Sequence, residues 1–184
     1  MKKNLWLTFF PLWIMVNIFG WLSYNAWFIL PYFGGWLLFA SGLILSFLQW
    51  IVLSKYIDVD STWIWASLIP YMMIHFMFYE LNYMMDFNKW VFYPSIFAIF
   101  GLAGFLQFRV LDFYVPHARS WILITFFIGL IGIPAAVLSQ KFLHLAEGTY
   151  FVVWLFFGCF YGVLTGISLT LLETVFRKKQ STQA

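Results

Sequence analysis

Charge is what this chain most lacks. Only 9% of its 184 residues are Asp, Glu, Lys or Arg, and between Asn4 and Ser54 there is none at all. A soluble domain carries roughly a quarter charged residues, so too few are present to cover a water-facing surface. The charge-free window is more than twice the roughly 20 apolar residues that cross a bilayer. Cysteine is nearly absent too. Cys159 stands alone in an apolar run, which excludes an internal disulfide, and no Cys or His lies at metal-ligand spacing around it. The chain has no His-Glu-x-x-His, no Gly-x-Ser-x-Gly, no phosphate loop and no paired intramembrane aspartates. His117 and His144 fall in loops on opposite sides, so no two histidines are in register for haem. The expectation is a non-enzymatic protein without cofactor or metal.

What is present is apolar and aromatic. Hydrophobic residues make up 64% of the chain and aromatics 24%, and mean hydropathy is +0.87. Charge-free windows between polar stretches predict six membrane-spanning helices, at about 5–24, 34–54, 62–79, 90–111, 120–140 and 150–172. In lipid every backbone amide must be satisfied internally, and runs of this length achieve that as helices. The first window follows Lys2 and Lys3 like a signal peptide. Its apolar stretch is longer than the usual 7–15 residues and lacks a small-x-small site, so it reads as the first span. With both termini in the cytoplasm, Lys2, Lys3, Lys55, Arg109, Arg119, Arg177, Lys178 and Lys179 lie inside, and only Lys89 and Lys141 outside. That is the inside bias expected of a multipass protein. Basic residues that flank spans in this way account for the net charge of +3 without a nucleic-acid partner.

The chain repeats itself at an offset of 58. "SFLQWIVLSKYIDVDSTWI" and "GFLQFRVLDFYVPHARSWI" are identical at Phe47/Phe105, Leu48/Leu106, Gln49/Gln107, Val52/Val110, Leu53/Leu111, Tyr56/Tyr114, Trp63/Trp121 and Ile64/Ile122. Each copy covers a helix end, a cytoplasmic turn and the next helix start, so the copies are parallel repeats. A further step of 58 reaches helix 6, where Gly158, Gly162, Thr165 and Leu169 fall in register with Gly42, Ser46, Gln49 and Leu53. The third copy lacks its second helix, and helix 1, with Trp6 and Pro11, occupies that place. The expected architecture is all-α: a single polytopic domain with pseudo-threefold two-helix repeats. The units cover about 42–80, 100–140, and 158–172 plus 5–24. A ring of such units brings helices 1 and 6 side by side. Gly42 with Ser46, Gly158 with Gly162, and Gly101 with Gly104 mark faces for close helix approach.

Polar residues inside the spans are the candidate ligand-binding groups. Gln49 and Gln107 each lie one turn inside a cytoplasmic helix end, with Thr165 as the third member. A primary amide in hydrocarbon must find partners, so these side chains either latch the helices together or face a vestibule. Arg109 departs from the repeat, standing where the first copy has Ile51. It snorkels to the interface or meets an anionic ligand or headgroup. His75 is the one ionisable group within helix 3, with Tyr79 a turn further on and Glu80 at the outer mouth. Ionisable groups at such depth are functional candidates. Pro70 and Pro134 are expected to break their helices and open a polar route past Ser67 and Thr125.

The small-x-x-Gln-hydrophobic-x-x-Leu phrase, followed after a short turn by Trp-Ile, resembles a theme in small bacterial multipass membrane proteins. In size, helix count and topology the chain is similar to the substrate-binding membrane subunits of energy-coupling-factor transporters. These resemblances imply a place in the bacterial cytoplasmic (inner) membrane and membrane lipid as a partner. They also imply a transporter or ATPase partner subunit, and a role in binding a small or amphiphilic ligand as transporter, transporter subunit or protective accessory protein. The alternative is a structural or assembly subunit of a larger membrane complex.

Overall fold

The computed structural model describes residues 5–23, 34–77, 89–115, 117–142 and 150–181. The charge-free windows become six α-helices, with no strand among the described residues: α1 (Leu5–Ser23), α2 (Gly34–Ser54), α3 (Thr62–Phe76), α4 (Lys89–Leu111), α5 (Ser120–Phe142) and α6 (Tyr150–Ser181). α6 runs past the predicted end at Leu172 because Glu173 to Ser181 contains no Gly or Pro and is rich in good helix formers. Pro70 and Pro134 do not break their helices. Both lie inside continuous ones, as do Pro11 and Pro94. A proline forfeits one backbone bond, and in a bundle the neighbouring helices hold the chain helical across it.

Each helix packs against the next in sequence, and α1 packs against α6, so the six close into a ring. The closest approaches are set by glycine. A Cβ at Gly162 would lie 3.0 Å from Ile14 Cα, and one at Gly158 would lie 3.0 Å from Ile18 Cα. Residue numbers run in opposite senses along this seam, so α1 and α6 are antiparallel, and the start of α1 lies at the same end of the ring as the end of α6. Between α4 and α5 a Cβ at Gly104 would lie 2.9 Å from Ile122 Cα. Gly101 does not share that task, since a Cβ there meets only a Phe126 ring atom at 3.6 Å.

The turns after α2 and α4 carry the same backbone bonds at positions 58 apart. The amides of Tyr56 and Ile57 donate to Leu53 O at 3.0 and 2.8 Å, and those of Tyr114 and Val115 donate to Leu111 O at 2.9 and 2.8 Å. Before α3, the Asp60 carboxylate accepts the Thr62 amide at 2.9 Å and also the Thr62 hydroxyl. An acceptor at a helix start satisfies an amide that has no intrahelical partner. We therefore expect Asp60→Ala to destabilise the fold by about 1 kcal/mol, read as a lowered midpoint in equilibrium unfolding in micelles.

Two apolar clusters fill the ring. One, at the end that holds the two turns, contains Phe9, Trp13, Leu53, Trp63, Leu111, Trp121 and Leu169. The other contains Trp21, Tyr71, Ile96, Phe100, Phe157 and Tyr161. The outer faces are also apolar: Leu7, Phe19, Trp65, Leu123, Phe127 and Phe156 are each more than half exposed. Among the described residues, Pro94–Leu111 and Leu155–Leu172 are long and apolar enough to cross a membrane, with hydropathy 1.6 and 1.9. Leu7–Ser23, Phe39–Ser54, Thr62–Ile74 and Ser120–Gly132 form shorter apolar helices.

Candidate functional site

Polar side chains collect inside the ring, where the surrounding residues are Leu, Ile, Phe and Trp. Gln49 and Gln107 are 3% and 4% exposed, and Asn17, Thr125 and Thr165 are fully buried. Such groups are costly without hydrogen bonds, and the fold supplies most of them in a recurring way. Trp121 Nε1 on α5 donates to Gln107 Oε1 on α4 at 2.8 Å. Trp13 Nε1 on α1 donates to Thr165 Oγ1 on α6, also at 2.8 Å. Each bond joins a tryptophan on one helix, Trp121 at the start of α5 and Trp13 midway along α1, to the polar residue of its partner. The glutamines then reach to the preceding helix in the ring. Gln49 Nε2 donates to Asn17 Oδ1 at 2.8 Å, and Gln107 Nε2 donates to Ser67 Oγ at 3.0 Å. Asn17 and Thr125 also bond back to the carbonyls of Trp13 and Trp121, at 2.8 and 2.9 Å.

The α2–α3 pair departs from this scheme. Gln49 and Trp63 hold the positions of Gln107 and Trp121, yet Gln49 Oε1 and Trp63 Nε1 have no hydrogen-bond partner in the protein, nor does Ser46 Oγ. All three are buried. Trp63 itself is wedged between Trp13 and Trp121, with ring centroids 6.4 Å from each.

Beside Gln49 lies a half-enclosed cavity of about 30 Å³, room for about two waters. Its polar lining is Gln49, Ser67, Tyr71, Gln107 and Tyr161, and its apolar walls include Leu45, Ile74 and Phe100. The Tyr71 hydroxyl stands 3.4 Å from both Ser41 Oγ and Gly20 O, contacts long enough to yield to a better partner. The lining offers neutral donors and acceptors and no charge, which suits a small uncharged molecule.

Of the residues singled out in sequence, the structure brings Gln49 and Gln107 to one cavity and places Thr165 in the same polar layer. Arg109 is not part of it. That side chain is exposed, in the last turn of α4. His75 lies within α3, but its side chain falls outside the described residues, as do Tyr79 and Glu80 entirely. Asn17 was missed, and so was the role of Trp13. The signal that finds both is Trp-Ile-x-x-polar, shared by α1, α3 and α5 as Trp13-Ile14 with Asn17, Trp63-Ile64 with Ser67, and Trp121-Ile122 with Thr125, while a fourth match, Trp50-Ile51 with Ser54, falls at the end of α2. Among the described residues no three His, Cys, Asp or Glu side chains gather as a metal site would need. No protein-family model, curated protein or solved structure matches the chain.

Proposed function

We propose that the chain is a six-span protein of the bacterial cytoplasmic membrane, with both ends on the cytoplasmic side. Its core binds a small uncharged ligand, as a transporter, a transporter subunit with an ATPase partner, or an accessory protein. Three like hairpins compose it: α2–α3, α4–α5, and α6 with α1. The observation that carries the reading is an inverted distribution of polarity. Amides and hydroxyls are buried to a few per cent beside a cavity, while Leu, Phe and Trp cover the outside. That arrangement suits a hydrocarbon solvent, and the cavity is where a ligand finds hydrogen bonds in place of water.

Two measurements test it. The membrane-impermeant labelling of Lys2→Cys and Thr182→Cys proteins should require permeabilised cells for both, and labelling of either in intact cells overturns the orientation. Thermal unfolding of the purified chain should be raised saturably by small alcohols, polyols or amides and not by ions of like size. Ser67→Val, which puts two methyl groups where the cavity lining has one hydroxyl, should abolish the rise. If no neutral solute stabilises the protein, the alternative of a structural or assembly subunit gains. One observation already favours that alternative: about 30 Å³ is far below the roughly 300 Å³ at which pockets for drug-sized ligands begin.

A further inference from the structure

The three hairpins differ at one position that decides how closely their helices approach. Gly104 on α4 and Gly162 on α6 abut the backbones of Ile122 and Ile14. The equivalent residue on α2 is Ser46. A side chain there does not fit the approach seen in the other two seams, since a bare Cβ at Gly104 would already lie 2.9 Å from Ile122 Cα. In the closely packed hairpins the tryptophan N–H reaches the polar residue opposite at 2.8 Å. In the α2–α3 hairpin it does not, and Trp63 Nε1, Gln49 Oε1 and Ser46 Oγ are left as one buried donor, one buried acceptor and one hydroxyl on facing helices. Gln49 also lines the cavity, whereas Trp63 and Ser46 do not, so Gln49 is the residue the two places share.

We infer that the α2–α3 seam is a binding subsite for a small neutral hydroxyl-bearing molecule, which accepts a hydrogen bond from Trp63 Nε1 and donates one to Gln49 Oε1. Water is the smallest member of that class, and the cavity extends the room to a two- or three-carbon alcohol. The inference rests on the ligand-binding reading above and names its chemistry. A hydroxyl satisfies both unpartnered groups at once. A cation would face the indole N–H, and an anion would face the amide oxygen, so both are excluded by the same pair. Ser46 thus serves as the spacer that keeps the subsite open.

The test uses the full chain, labelled with 15N at tryptophan in micelles, with the Trp63 signal assigned through Trp63→Phe. The Trp63 indole N–H should show a cross-peak to water, and ethanol should shift it saturably while the Trp121 and Trp13 signals stay still. Ser46→Gly lets α2 and α3 close, so that Gln49 meets Trp63 directly, and it should remove both the water cross-peak and the ethanol shift in a protein that remains folded. Gln49→Leu should abolish the saturable shift. A Trp63 indole with no water cross-peak and no response to ethanol overturns the subsite. If in that case Ser67-dependent stabilisation by neutral solutes persists, the cavity still binds ligand by another route. If it too is missing, the ligand-binding reading falls with the subsite.

Discussion

Gly162→Ala is expected to destabilise the bundle by about 2 to 3 kcal/mol, the usual cost of forcing an extra group into a closed contact. The added methyl would sit 3.0 Å from Ile14 Cα and 3.2 Å from Asn17 Cβ. Two of those neighbours belong to a helix backbone or its first side-chain atom, which cannot rotate away as the end of a long side chain can. α1 must therefore shift as a whole. That shift would also lengthen the bond from Trp13 to Thr165, now 2.8 Å, so one methyl would act on two contacts. Gly101→Ala is the control. There the new methyl finds only a Phe126 ring atom at 3.6 Å, and helix propensity alone should stabilise by about 0.5 to 1 kcal/mol. Equilibrium unfolding in mixed micelles reads both. Equal effects at the two positions would mean that the α6–α1 seam is not held by close backbone contact.

The helices were legible because lipid-like windows with little or no charge leave little choice of structure, and their ends, that of α6 at Ser181 excepted, fall within a few residues of where polar stretches begin. The offset of 58 further points to α1 and α6 as neighbours, and α1 does pack along α6. The anchor on α1 was not legible in the same way. Trp6 and Pro11 mark helix 1 in the sequence, whereas Trp13 is the residue that donates to Thr165. A unit split between chain ends has no continuous stretch to align, and only the Trp-Ile-x-x-polar phrase shared by α1, α3 and α5 restores the register. Gly101 and Gly104 look alike in sequence, yet three residues of helix turn them to different sides, and one alone meets backbone. At the place of Gly104 and Gly162 the α2–α3 hairpin carries the hydroxymethyl of Ser46. The two unmet hydrogen bonds there depend on distances that no pattern of residues states.

Gln107→Leu should destabilise more than Gln49→Leu, although the two glutamines occupy equivalent positions. Gln107 accepts from Trp121 and donates to Ser67. Its loss leaves a fully buried indole N–H without an acceptor, and a stranded buried donor costs about 1 to 3 kcal/mol. Gln49 makes one such bond, to Asn17, and its oxygen has no partner to lose. Within a membrane bundle an interhelical bond of this kind contributes about 0.6 to 2 kcal/mol, so the Gln49 variant should fall at or below the lower end. A double-mutant cycle isolates the difference. Gln107→Leu with Trp121→Phe should show a favourable coupling of about 1 to 2 kcal/mol, while Gln49→Leu with Trp63→Phe should show almost none. Equal coupling in the two hairpins would mean that Gln49 and Trp63 are bonded in the folded protein. The asymmetry would then vanish, and with it the physical reason for a hydroxyl to bind between α2 and α3.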